Sequence, residues 1–309
     1  MLRRLIIVLL AVCAVTTARP SAAEPVFPPG LRIGLEPPGD LRPSTHFSGF
    51  EDIDRKVAVT ILDLPAAAYP ELERAANSQQ QGVTDLKREN FSFRGGSGLL
   101  VTARVQNKDV KLYKWLLLAG TAADKDLTVL INVEVPETAL SVYSDAVIRR
   151  ALASVTLRPM PIQEQLGLLP FKISQLAGFR VVKVLPAGGV MLTDGPTDDI
   201  SRQPYVIVSI GSNAPEQADD RARFARDLLS SAPLRDLSVQ SADTMRIGGA
   251  PGFEIRAQAK GFNNEPIMVA QWLRFAGGNF LRVVGVGRKD DWDSLFTRLR
   301  ALRDGIEFR

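Results

Sequence analysis

The sequence predicts an α+β chain made of two tandem copies of one domain behind an export signal. Three observations predict it. The carboxyl-terminal half repeats the middle in one order of turns, strands and helix. Consecutive strand signals joined by tight turns lie between helical segments, which points to antiparallel pairing rather than a parallel nucleotide-binding sheet. An apolar run follows Arg3 and Arg4 at the amino terminus.

Leu5 to Val15 is apolar and uncharged, and Ser21, Ala22 and Ala23 supply the small residues of a cleavage site after Ala23. That is the pattern of a secretory signal peptide. The run falls short of the roughly 20 residues that span a bilayer. Cys13, the one cysteine, follows Val12 inside this run, a position unlike that of a lipoprotein cysteine, and is expected to leave with the leader. Residues 1–23 are therefore read as signal, 28–158 as the first copy, 159–170 as linker and 171–309 as the second copy. A periplasmic or secreted protein without a transmembrane helix after cleavage is expected.

The first copy opens with strand-length apolar clusters at Leu31–Leu35 and Val57–Leu64, and a helix follows over roughly Ala66–Gln80. The sequence then reads FSFRGGSGLLVTARV from Phe91, VKLYKWLLLAG from Val110, LTVLINVEV from Leu127, and a helical segment ending at Leu157. Pro159, Pro161, Gly167 and Pro170 interrupt any period in the linker. In the second copy Arg180–Leu185 and Tyr205–Ile210 are expected to play the parts of the opening strands. Its helix covers roughly Glu216–Ser231, with Asp219 and Asp220 at the favoured amino end and Phe224, Leu228 and Leu229 as an apolar stripe. MRIGGAPGFEIRAQA from Met245, PIMVAQWLRFAG and NFLRVVGVG then repeat the middle of the first copy. Gly98 aligns with Gly252 at an offset of 154, Trp115 with Trp272 at 157 and Ile148 with Leu299 at 151.

Gly277 and Gly278 signal a tight hairpin between Met268–Ala276 and Asn279–Val286. The closing helix has Asp290 or Asp291 to cap it and Leu295, Phe296, Leu299 and Leu302 at helical spacing. Its Arg298, Arg300 and Arg303 read as surface residues that complement the helix dipole rather than as an anion site.

Charge and cysteine content exclude several classes. Losing residues 1–23 removes Arg3, Arg4 and Arg19 and no acid, leaving 35 basic against 34 acidic residues and a formal +1 in place of +4. Nothing in that balance calls for nucleic acid or an anionic membrane as partner. Without a cysteine, the mature chain is held by burial rather than by disulfides.

The order of opening strands, long helix, antiparallel meander and closing helix, with a glycine turn before the FEIRAQA strand, resembles the PsbP-like fold. That fold is shared by the extrinsic subunit of photosystem II, a Ran-binding nuclear import factor and several bacterial envelope proteins. The resemblance covers nearly all of residues 28–309. It implies two tandem PsbP-like domains, each an antiparallel sheet sandwiched by helices. Its better-studied members bind or stabilise other proteins, and it carries no functional motif onto particular residues here.

Candidate chemistry is sparse. His46 is the only histidine, so a Ser-His-Asp or Cys-His mechanism must use it, yet it lies in Pro43–Gly49 with no partner evident in the sequence. Usual histidine and cysteine zinc sites lack ligands. Gly95, Gly96, Ser97 and Gly98 resemble a phosphate cradle or nucleophile elbow only superficially, because no P-loop or G-x-S-x-G pattern is present. The matching Gly248, Gly249, Pro251 and Gly252 repeat the turn residues but not the serine, so a strand-to-strand turn is expected. Glu51, Asp52 and Asp54, with Asp194, Asp198 and Asp199, supply hard oxygen ligands for calcium but not the spacing of a calcium loop, and are read as solvated loops. Trp115 and Trp272 are expected in the core.

These readings favour a non-catalytic exported protein that binds or stabilises an envelope protein or complex, without catalytic, cofactor or metal residues. Two alternatives are a periplasmic binder of a small ligand or lipid in an apolar inter-domain cleft, and a hydrolase without histidine chemistry.

Overall fold

The computed structural model describes residues 24–78, 82–107, 110–120, 127–185, 188–261 and 263–308. Residues 1–23, expected to be a signal, lie outside them. The chain forms two units, divided between Pro159 and Met160.

Unit one runs β1 (Ile33–Gly34), β2 (Arg42–Pro43), β3 (Gly49–Asp52), β4 (Val57–Pro65), α1 (Tyr69–Asn77), β5 (Val83–Phe93), β6 (Gly96–Asn107), β7 (Val110–Gly120), β8 (Leu127–Pro136), α2 (Asp145–Ala153) and β9 (Thr156–Leu157). Unit two runs α3 (Ile162–Leu168), β10 (Phe171–Ile173), β11 (Arg180–Leu185), β12 (Gly189–Thr193), β13 (Tyr205–Ser212), α4 (Ala218–Ser230), β14 (Arg235–Ile247), β15 (Ala250–Lys260), β16 (Pro266–Ala276), β17 (Asn279–Arg288), α5 (Trp292–Asp304) and β18 (Ile306–Phe308).

Each unit holds one seven-stranded antiparallel sheet. The orders are β2-β3-β4-β8-β7-β6-β5 and β11-β12-β13-β17-β16-β15-β14, the same path traced twice. Alternation of side chains decides what each face buries. In unit two, Val206, Val208, Trp272, Leu281 and Val283 meet Leu295, Leu299 and Leu302 of α5. Phe253, Ile255, Ala257, Val269 and Leu273 meet Ala225 and Leu229 of α4 on the other face. In unit one, Trp115, Ile131 and Val133 pack with Ile148 and Leu152 of α2. The expected α+β architecture, a sheet flanked by helices and present twice, is borne out.

Even the irregularities are duplicated. Both outer strands bulge near their start, between Thr84 and Lys87 in β5 and between Arg235 and Ser238 in β14. An aspartate takes positive φ in each bulge, Asp85 at 53° and Asp236 at 51°. Each pairs with a cation on the adjacent strand, Asp85 with Arg104 at 3.0 Å and Asp236 with Lys260 at 2.6 Å. A twisted, charged edge resists pairing with another chain.

Several expectations need correction. The counterpart of the opening strand at Leu31–Leu35 is β10, because β1 pairs with β9 after α2 as β10 pairs with β18 after α5. Arg180–Leu185 corresponds instead to β2, an edge position. The linker contains a helix, α3, between its prolines; Pro161 precedes the helix and so removes no internal hydrogen bond. The first long helix is α1, preceded by a 3₁₀ turn at Ala66–Ala68, while Gln79 and Gln80 lie outside the described residues. Asp291 occupies the capping position of α5 without a side-chain capping bond.

The glycine turns follow the expected plan. Gly277 and Gly278, both at positive φ, close the β16–β17 hairpin. Gly98 has a different task from the turn assigned to it. The turn is Arg94–Gly95, and Gly98 lies in the β5–β6–β7 ladder, where a Cβ would stand 2.4 Å from the Leu118 carbonyl oxygen.

Candidate functional site

The residues singled out by chemistry are mostly engaged structurally. His46 is exposed, and its Nδ1 lies 3.0 Å from Glu51 Oε1. Ser44 Oγ donates to that same oxygen at 2.7 Å. Serine and histidine thus share one carboxylate oxygen, which ties the Pro43–Gly49 loop together. The hydrogen bonds from Ser44 and His46 hold Glu51 below the usual carboxylate range. The partner of His46 that the sequence did not reveal is therefore Glu51.

Asp52, expected as a solvated loop acid, is buried. It accepts 2.8 Å and 2.7 Å bonds from Arg55 Nη1 and the Tyr143 hydroxyl. Burial alone would raise its pKa, but those bonds outweigh it and hold the value below the ordinary one. Burial, and then the bond to Asp52, push Tyr143 up to about 12 from 10.0. Because the folded value is raised, the stability Tyr143 contributes is complete below about pH 10 and is lost as pH rises toward about 12. Urea midpoints across that range should fall more steeply for the wild type than for Tyr143→Phe; parallel curves would refute the coupling.

Asp54 is exposed on the turn before β4. Asp194 pairs with Arg298, Asp198 with Arg180 at 2.7 Å, and Asp199 accepts the Ser201 amide at 2.9 Å. Among the described residues no three His, Cys, Asp or Glu side chains gather as a metal site. Arg298 also lies over the Phe179 ring. Arg300 is exposed, but Arg303 is buried, pairing with Asp304 at 2.7 Å and lying 3.7 Å from Glu254. The reading of all three arginines as a wet surface therefore fails at Arg303. Ser97 is exposed at the start of β6, opposite Ser92.

Trp115 and Trp272 are core residues with different polar partners. Trp115 Nε1 donates to Asp145 Oδ1 of α2 at 2.8 Å. Trp272 Nε1 donates to Glu254 Oε2 of β15 at 2.6 Å.

The concavity that stands out is one the residue motifs did not identify. The α4 face of the unit-two sheet continues beyond the helix as a cavity of about 480 Å³. Tyr205 and Ile207 of β13 and Val284 and Val286 of β17 are among the side chains that line it, with Ile267 of β16. Pro233 and Leu234, after α4, wall one side, while Arg202, Lys260 and Arg288 add cations. The volume lies in the range of small-molecule sites, and an apolar lining with a few placed polar groups is their usual chemistry. The sequence points to a cleft between domains; this cavity belongs to unit two alone.

Arg282 of β17 also belongs to that lining. Arg282 Nε donates to Gln271 Oε1 at 2.8 Å and Nη2 to the Leu228 carbonyl at 2.9 Å. Burial pushes its pKa below the ordinary arginine value. The detectable sequence signal was Arg282 itself, the only charge in the apolar stretch Phe280–Gly287.

No family model matches this chain, and no curated protein does. Solved structures similar to it include LpqN of Mycobacterium tuberculosis, described as involved in cell envelope biogenesis, at 14% identity over 44% of this chain and 82% of that one, with a TM-score of 0.36. PsbP of the cyanobacterium Synechocystis is similar at 15% identity over 45% and 87%, with a TM-score of 0.33. The type VI secretion immunity protein TplEi of Pseudomonas aeruginosa, solved with a peptide, is similar at 12% identity over 92% and 97%, with a TM-score of 0.30. The element order on which the PsbP-like resemblance rests occurs twice in this chain. The expected tandem repeat of one antiparallel-sheet domain stands on that element order. No activity, substrate or partner passes from these proteins to this one.

Proposed function

We propose that this protein is an exported, non-catalytic binding protein whose second unit holds a small apolar or amphiphilic ligand. The observation that carries the reading is the unit-two cavity, floored by alternate residues of β13 and β17. Tyr205 and Ile207, the half-buried members of that lining, keep apolar surface that an occupant would remove from water. Ser201, Ser209 and Ser231 line the cavity, but the chain's one histidine is engaged by Glu51 in unit one. Export rests on the signal pattern of residues 1–23, and no helix among the described residues is long and apolar enough to cross a membrane.

An envelope protein partner is the second reading, favoured by the outer strands β5 and β14, whose free edges pair with no other strand among the described residues. Their bulges and charged aspartates weigh against strand addition, which ranks the cavity first.

Calorimetric titration of the whole purified protein with dodecanol, a neutral alkyl probe, tests the first reading. Ile207→Trp fills the cavity floor and should weaken binding at least tenfold while the far-ultraviolet circular dichroism is retained. Equal binding by both proteins, or binding by neither, would reject the cavity as a ligand site. A saturable envelope protein captured equally by wild type and Ile207→Trp would favour the second reading.

A further inference from the structure

We propose that the unit-two cavity takes a single-chain carboxylate amphiphile, with its headgroup on Arg282 and its alkyl chain along Ile207, Val284 and Val286. The proposal rests on the reading of the cavity as a ligand site and names the class of ligand.

The strand register lays the cavity out as a track. Ser209 is opposite Arg282, Ile207 opposite Val284 and Tyr205 opposite Val286. Ile267 then faces Arg288 from β16. Alternate residues share one face, and each rises about 3.3 Å, so Arg282 and Arg288 stand roughly 20 Å apart with two apolar rungs between them. This is the layout an amphiphile needs, a cation followed by a hydrocarbon path.

Arg282 is already aimed. Its Nε and Nη2 bonds go to Gln271 and to the Leu228 carbonyl in the last turn of α4, and Gln271 donates in turn to the Ala225 carbonyl at 2.8 Å. Two of its five donors are thereby used. Nη1 has no hydrogen-bond partner among the described residues, and no carboxylate among them pairs with Arg282. The helix end carries only about half a negative charge. A positive charge is thus left over at an apolar wall, where an unpaired ion is costly.

Unit one shows the alternative. Its β8 carries Asn132 and Glu134 where β17 has Arg282 and Val284, as the pairing of Val133 with Trp115 and of Val283 with Trp272 establishes. Glu134 there pairs with Lys114 at 2.6 Å and accepts from Asn132 at 3.1 Å. One copy balances its charge internally; the other leaves a cation. A carboxylate is planar, carries one charge and suits a guanidinium fork. A phosphate monoester carries closer to two charges, which a single guanidinium leaves partly unmatched.

Titration of the whole protein near neutral pH with dodecanoate, dodecanol and dodecyl phosphate tests this. Dodecanoate should bind at least about tenfold tighter than dodecanol, the effect of one charge-assisted hydrogen-bonded contact. Ser209→Asp sets a carboxylate opposite Arg282 while leaving its two bonds in place, and should bring the ratio of the two affinities close to one. Arg282→Met should do the same, and Arg282→Lys should keep part of the preference. A ratio near one in the wild type, or a preference that survives both Ser209→Asp and Arg282→Met, overturns the headgroup assignment while dodecanol binding keeps the cavity reading intact. Tighter binding of dodecyl phosphate than of dodecanoate overturns the choice of carboxylate. If none of the three ligands binds, the cavity reading fails as well.

Discussion

Trp272→Ala should destabilise unit two by about 3–5 kcal/mol, the scale for removing a large aromatic side chain from a core. Trp272 is completely buried, stacks on Phe296 with ring centroids 5.7 Å apart and has the Arg303 guanidinium over its ring. Its Nε1 donates to Glu254, so truncation opens a cavity and also removes a donor from a nearly buried carboxylate. Arg256 still bonds Glu254 at 2.7 Å, which limits that second cost. Trp272→Phe separates the two effects: it keeps much of the packing and should lose about 1.5–3 kcal/mol, the value of a hydrogen bond to a charged group. Glu254 and Trp272 touch, so their substitutions should not add. Urea unfolding followed by circular dichroism measures both; a loss below about 1 kcal/mol for the alanine variant would show that the ring is not a keystone of unit two.

Gly49→Ala should cost unit one about 3 kcal/mol or more, because backbone strain of about 1–3 kcal/mol and a comparable overpacking cost act together. Gly49 opens β3 opposite Thr60 at φ 146°, a conformation L side chains rarely adopt. A Cβ there would lie 1.9 Å from the Val59 carbonyl oxygen, which is main chain inside β4 and has no rotamer with which to move away. Gly167→Ala is the control, since nothing lies within 4 Å of the methyl group an alanine would add there, and the residue sits in α3, where alanine is the better helix former. Equal unfolding midpoints for Gly49→Ala and wild type would contradict the close approach of β3 and β4.

What the sequence disclosed follows from what period and turn chemistry can encode. The repeat, the Gly277–Gly278 hairpin, the stripe of α5 and the central strands all follow from local patterns that the fold obeys. The counterpart of Leu31–Leu35 was misplaced because β10 is only three residues long and its pairing with β18 joins segments far apart in sequence. Arg303 was misread because its place in the last turn of α5 matches a dipole-complementing surface residue, whereas Glu254, which draws it inward, comes from β15.

The cavity was illegible for a related reason. Ile207, Val284 and Val286 alternate like any core residues, and nothing local records that a cavity remains beside them past the end of α4. Arg282 alone departed from the pattern. Its meaning depended on Gln271 and the end of α4, which only the folded sheet brings beside it.

The most direct test is solution NMR of the whole protein with labelled isoleucine methyl groups, titrated with dodecanoate. Binding in the unit-two cavity requires that the Ile207 and Ile267 methyl signals shift together and saturate, while Ile61 and Ile131, buried in the core of unit one, stay in place. Unmoved Ile207 and Ile267 signals, or shifts confined to unit one, would contradict it.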